Sequence, residues 1–161
     1  DAAVFSLVVV VLVFTFLCRI VGVDGSSMKT TLMDRDLLIL SVLPYTPERG
    51  DIVVINRYTK EPLIKRVIGV AGDTLEIDEE QHKVRLNGEL LDEPYVDELA
   101  LGECDIEFPY QVPESRYFVM GDHRVTSIDS RSTVIGCVEK SQIVGKVFLR
   151  VWPLSGFSLI H

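Results

Sequence analysis

Cysteine, histidine and tryptophan are scarce in this 161-residue chain, with three, three and one copies. The cysteines stand at 18, 104 and 137 and the histidines at 82, 123 and 161. Neither set has the spacing of a metal site, and no phosphate-binding loop is present, so no metal and no cofactor are expected. Cys104 and Cys137 read as free thiols, with a bridge between them as the alternative in an oxidising compartment. Positive charge is also in short supply. The formal net charge is −8, and no basic stripe with interleaved aromatics exists, which argues against nucleic acid as a partner. After residue 32 no window sustains 3.6-residue periodicity over three turns, which argues against a helical domain. Internal repeats and low-complexity segments are absent.

What the chain does have is a long apolar run at its start, residues 2–17, extended past Cys18 and Arg19 by Ile20 and Val21. Mean hydropathy is +0.26, high for a soluble protein, and this run explains part of it. Crossing a bilayer takes roughly 20 apolar residues, with a lower limit of about 17. A cleaved leader has a shorter apolar core and a small-residue cleavage site, whereas Arg19 and Ile20 follow here. The run therefore reads as a retained transmembrane anchor over residues 1–22, with a second region over 23–161. At 161 residues there is material for one well-buried domain plus a small appendage.

Charge is unevenly spread. Thirteen acidic and two basic residues lie between positions 73 and 107, so that segment carries the negative charge and the remainder is mildly positive. Anionic headgroups repel such a lobe, which places it away from the bilayer. Residues 92–113 contain Pro94, Gly102, Pro109 and Pro113 and read as an irregular surface excursion with no catalytic duty. The acidic lobe as a whole is set at about 73–113.

Elsewhere short β-branched runs alternate with turn residues. The expected strands are 37–43, 51–57, 63–70, 74–77, 82–86, 89–91, 116–120 and 143–151. Asn87-Gly88 between two of them is a hairpin signal, because a type I′ turn needs positive φ at both positions. Gly50-Asp51 and Gly72-Asp73 mark further turns. The fold class is mainly β: a barrel-like or sandwiched antiparallel sheet, with an N-terminal transmembrane helix and an acidic surface excursion.

Two short stretches carry chemistry. Lys65 lies in the aliphatic run Leu63-Ile64-Lys65-Arg66-Val67-Ile68. On a strand it shares a face with Leu63 and Val67, while Arg66 points the other way. An ordinary lysine is neutral about once in a few thousand at pH 7. Desolvation favours the neutral amine, which can then deprotonate a serine. The ordinary alternative is a strand-edge lysine that reaches back to water. Ser27 sits in Gly25-Ser26-Ser27-Met28, just past the apolar run. Small residues there leave room for a peptide and for backbone N–H groups facing an oxyanion. A turn or capping serine is the ordinary alternative, and Ser26 competes as nucleophile.

A third stretch runs from Gly121 to Arg131 and holds two carboxylates, two guanidiniums and three hydroxyls. Asp129 and Arg131 are spaced to pair, and Ser127 can offer a hydroxyl to a neutral amine. A solvated polar loop is the ordinary alternative.

Taken in order, these segments resemble the type I signal peptidases of the bacterial, serine–lysine kind. The likeness rests on the apolar run, Ser-Met-x-x-Thr-Leu at 27–32, Gly-Asp-Ile-Val at 50–53, Lys-Arg-Val-Ile-Gly at 65–69, and Gly-Asp-x-Arg with Ser-x-Asp-Ser-Arg at 121–131. Each is weak alone, but their order and spacing are specific. The resemblance implies that Ser27 is the nucleophile and Lys65 the general base. It implies that Ser127 positions the lysine, that Asp129 and Arg131 form a supporting ion pair, and that Arg66 and Asp122 have orienting roles. The backbone N–H of Ser27 would face the oxyanion, and Gly25 and Met28 would line the substrate site. Expected partners are the signal peptides of secreted preproteins, cut after Ala-x-Ala sites, and the lipid bilayer. The implied location is a cell membrane crossed once, with the catalytic domain on the extracytoplasmic side.

The sequence departs from the family's pattern in three places. Thr30 stands where proline is usual, His123 where asparagine is usual, and Gly25 where some members carry a serine that donates to the oxyanion. His123 also invites a Ser-His-Asp reading with Asp122, but neighbours on a strand point to opposite faces. Two other readings compete: a self-cleaving repressor, disfavoured by the apolar anchor, and an inactive membrane-tethered β-module that binds signal peptides.

Overall fold

The computed structural model describes residues 1–57, 60–78, 80–99 and 102–160. A helix, α1 (Ala2–Phe16), leads into β1 (Cys18–Gly22) and β2 (Leu37–Ser41). Then come β3 (Ile52–Ile55), β4 (Leu63–Gly69), β5 (Thr74–Asp78), β6 (Lys83–Leu86) and β7 (Glu89–Leu90). The rest is β8 (Tyr110–Gln111), β9 (Arg116–Met120), β10 (Val138–Glu139), β11 (Ile143–Trp152) and β12 (Ser158–Leu159), with short 3₁₀ turns around β11. The larger sheet runs β1-β2-β11-β3-β4-β9-β10 with β12 on β11, and the smaller runs β7-β6-β5-β8. Every pairing is antiparallel. The fold is thus mainly β, a curled half-barrel.

All eight expected strands are present, within a few residues of their expected ends. Asn87 and Gly88 have φ of 53° and 87°, as the β6–β7 hairpin turn requires. β3 explains why its sequence shows no alternation. Ile52 and Val54 enter one apolar cluster with Met28, Leu32 and Leu40, while Val53 enters another with Val67 and Val119. Both faces of this strand are covered, so a continuous aliphatic run is what it needs. A third cluster joins the sheets through Ile68, Leu75, Val84, Val112 and Phe118.

The N-terminal expectation needs correcting. The helix covers 15 residues, about 22 Å at 1.5 Å per residue, against a hydrocarbon thickness of about 30 Å. No helix among the described residues is long and apolar enough to cross a membrane. The apolar run continues past the helix as a strand: residues 18–22 pair with β2 over five registered positions. Their backbone groups gain a ladder there, which explains the change of structure. Residues 18–22 thus belong to the larger sheet and not to a helix.

The excursion over 92–113 is irregular, as expected, but parts of it are built into the fold. Tyr110 and Gln111 form β8 against β5, and Val112 is buried beside Phe118. All three cysteines are free thiols. His161 lies outside the described residues, as do Glu79, Ala100 and Leu101 of the acidic lobe.

Candidate active site

Ser27 sits in the turn after β1, where Leu32 N donates to Met28 O at 2.8 Å and Met28 is buried in the core. Burying the methionine fixes the turn and leaves the preceding serine half-exposed. Lys65 sits on β4, opposite Val53 of β3. With Leu63 and Val67 two positions away on the same face, its stem is enclosed by aliphatic side chains, and it is 2% exposed. Lys65 Nζ donates to Ser27 Oγ at 2.6 Å. In the neutral form the same contact reverses, with the hydroxyl donating to nitrogen. Burial draws the amine down from 10.5 to about 8. Asp129 and Asp122 pull it up, while Arg131 and Arg57 push it further down.

Of the residues expected to support this pair, Asp129, Arg131 and Asp122 lie near enough to act on the Lys65 amine through their charges. Arg131 Nε donates to Asp129 Oδ1 at 2.8 Å and Nη2 to Oδ2 at 2.9 Å, with both side chains buried. Ser127 Oγ donates to Asp129 Oδ2 at 2.6 Å and accepts from Gly121 N at 3.1 Å. The expectation that Ser127 holds the lysine is not seen directly. Its hydroxyl is engaged by Asp129 and Gly121, and among the described residues it makes no hydrogen bond to Lys65. Arg66 Nε and Nη2 reach Asp122 Oδ1 and Oδ2 at 2.9 and 2.8 Å. Asp122 also accepts from Thr31 Oγ1.

The geometry separates the rival nucleophiles. Ser26 is exposed and lies 3.4 Å from Thr126 Oγ1, while the lysine meets Ser27. His123 Nδ1 is 2.7 Å from Thr126 Oγ1, and the Asp122 carboxylate is taken by Arg66 and Thr31. No Ser-His-Asp arrangement forms among the described residues.

Beside the pair lies a cleft of about 340 Å³, lined by Val23, Gly25, Ser27, Met28, Ile64 and Lys65 among others. Gly25 has φ of 93° and its N–H donates to Asp34 Oδ1 at 2.9 Å. Gly25 and Met28, the residues expected to line a substrate site, both line this cleft.

Some participants leave little trace in the sequence. A Cβ on Gly121 would lie 2.4 Å from Ser27 O and 2.3 Å from Ser127 Oγ, so only glycine allows that approach. His123 N donates to Ser27 O at 3.0 Å, tying the two segments together. Arg124 is buried and pairs with Glu93. The Gly-Asp-x-Arg spacing marked Arg124 without a role, and nothing marked Glu93 within its acidic surroundings.

Comparison with known proteins gives a consistent result. The family model described as signal peptidase, peptidase S26, matches residues 1–152. Signal peptidase I P of Bacillus subtilis subsp. natto is 38% identical over 164 residues, covering 95% of this chain and 87% of that protein. Signal peptidase IB of Staphylococcus aureus (strain Mu50) is 33% identical over 170 residues, covering 94% and 87%. A crystal structure of a signal peptidase I from Enterococcus faecalis V583 aligns with a TM-score of 0.53 at 28% identity, covering 63% of this chain and 97% of that one. On its sequence and its fold alike, this chain belongs to the signal peptidase I family and is a serine peptidase.

Proposed function

We propose that the protein is a membrane-associated endopeptidase that removes signal peptides from exported preproteins through a Ser27–Lys65 dyad. The observation that carries this reading is the 2.6 Å contact between Ser27 Oγ and a buried amine. With a pKa of about 8, roughly one lysine in ten is neutral at pH 7, a large gain over an ordinary side chain.

In the forward step the neutral amine takes the Ser27 proton as Oγ attacks the scissile carbonyl carbon. The carbonyl oxygen gains the negative charge and faces the backbone N–H of Ser27, which has no acceptor among the described residues. The ammonium of Lys65 then returns its proton to the departing amine, leaving an ester on Ser27. Water, deprotonated by the same lysine, releases the new carboxylate and restores the hydroxyl. The Asp129–Arg131 pair, Ser127, Asp122 and Arg66 hold this geometry without exchanging protons. The cleft of about 340 Å³ with Ser27, Lys65 and Met28 in its lining is where the residues of an Ala-x-Ala site would bind.

Membrane association is supported by α1, whose residues are none of them buried, and by exposed Trp152, Leu154, Phe157 and Leu159. Such apolar surface is favourable in the interfacial region of a bilayer. We assign the β-domain to the extracytoplasmic face, where signal peptides emerge.

Incubation of the detergent-solubilised protein with a preprotein carrying an Ala-x-Ala site tests the proposal. Wild type should cleave, while Ser27→Ala and Lys65→Met should each lose about 10³-fold or more in kcat. Equal cleavage by Ser27→Ala would exclude it as nucleophile, and an active Lys65→Met would remove the base.

A further inference from the structure

The excursion over 92–113 reaches the active-site region by contacts that its acidic composition does not announce. Glu93 forks onto Arg124: Nη1 donates to Oε2 at 3.0 Å and Nη2 to Oε1 at 2.7 Å, with both side chains buried. The Tyr95 ring lies against Arg66, with Cζ 3.9 Å from the ring centroid. Its hydroxyl donates to Glu93 Oε1 at 3.0 Å, so the two residues brace each other. Further along, a Cβ on Gly102 would fall 2.1 Å from Arg124 O, so the excursion's backbone presses on the same segment.

Both arginines lead to the reacting pair. Arg124 Nε donates to Gly121 O at 3.0 Å, and Gly121 is the residue packed against Ser27 O. Arg66 grips Asp122, which accepts from Thr31 just past the Ser27 turn. A buried guanidinium stripped of its carboxylate is strongly unfavourable, so Arg124 keeps this place only with Glu93 opposite. An aromatic ring over a guanidinium likewise favours one orientation of the arginine.

We propose that Glu93 and Tyr95 are positioning residues for catalysis: through Arg124 and Arg66 they hold the Gly121–Asp122 segment against the Ser27 turn. They thereby set the separation between Ser27 Oγ and Lys65 Nζ. This rests on the reading of Ser27 and Lys65 as the catalytic pair. Neither residue lines the cleft, so their loss acts on the chemical step and not on substrate binding. A displacement of about 1 Å in such a pair costs up to about 10²-fold in rate.

The experiment uses the whole protein in detergent and the variants Glu93→Gln, Tyr95→Leu and Tyr95→Phe. It measures kcat and KM on an Ala-x-Ala peptide, the thermal midpoint, and amide hydrogen exchange over residues 121–127. Tyr95→Leu and Glu93→Gln should lower kcat by about tenfold or more with KM within about twofold. Exchange over 121–127 should accelerate while that of β3 and β4 stays unchanged. Tyr95→Phe keeps the ring over Arg66 and should retain most of the activity, a rescue that general destabilisation would not produce. Should Glu93→Gln fail to fold, Tyr95→Leu carries the test, since it leaves no charge buried alone. Wild-type kcat and wild-type exchange in a folded Tyr95→Leu overturn the proposal. If wild type itself cleaves nothing, the dyad reading fails, and the exchange of 121–127 alone decides whether the excursion positions that segment.

Discussion

The amine of Lys65, drawn by burial from 10.5 to about 8, is a source of instability and, under the proposed mechanism, of reactivity. Below about pH 8 the folded protein must keep an ammonium in an aliphatic setting, whereas the unfolded chain holds its proton up to about 10.5. Between these values the unfolded state binds more protons, so this residue's contribution to stability rises with pH. The penalty is complete below pH 8 and gone above 10.5. Lys65→Met should therefore melt higher than wild type at pH 6, with the difference shrinking toward pH 10. An unchanged difference would show that the amine is not desolvated. The same titration should make kcat/KM rise about tenfold per pH unit below 8 and level off above it; a profile flat from pH 6 to 9 would contradict this. At this scale the sequence offered local patterns that are weak alone and specific only in their order and spacing. A lysine inside an aliphatic strand and a serine among small residues are unusual enough to notice, and the family resemblance joined them. Glu93 and Tyr95 were illegible, because an ion pair across 31 positions leaves no periodic mark and one glutamate among many acids looks like solvated surface.

Among the elements, β11 governs how the larger sheet bends. Its ten residues pair with β2, with β3 and with β12, and its register shifts between positions 143 and 145 and again further along. Gly145 lies at the handover from β3 to β2. A Cβ there would stand 2.1 Å from Ser41 O, a backbone atom that cannot rotate aside. Gly145→Ala should thus destabilise the protein by about 1–3 kcal/mol, read as a lower thermal midpoint. An unaltered midpoint would mean the strand crossing has slack. The long strands were legible because β-branched runs broken by Gly and Asp are a strong local signal. β1 was not, since Cys18–Gly22 simply continues the apolar run before it, and only pairing with β2 distinguishes strand from helix. Of the two-residue strands, β7 is announced by the Asn87-Gly88 turn before it, whereas β8, β10 and β12 have no such signal and are created by tertiary contacts.

Over the whole molecule, the end of β11 and the residues after it form a group of exposed apolar side chains. Trp152 pairs in register with Leu37, and Leu154, Phe157 and Leu159 are exposed a few residues further along. If this apolar group rests on lipid, changing Trp152, Phe157 and Leu159 together to serine should cut processing of a bilayer-embedded preprotein several-fold. Turnover of a short soluble peptide should be untouched. Equal losses on both substrates would assign those residues to folding instead. The contact between Ser27 and Lys65 has one more implication, because 38 positions of chain separate them. In a nascent or denatured polypeptide the lysine is wet and protonated, and its hydroxyl partner is elsewhere. Under the proposed dyad, hydrolytic power is switched on by assembly of the sheet itself, and a newly made molecule stays inactive until it has folded.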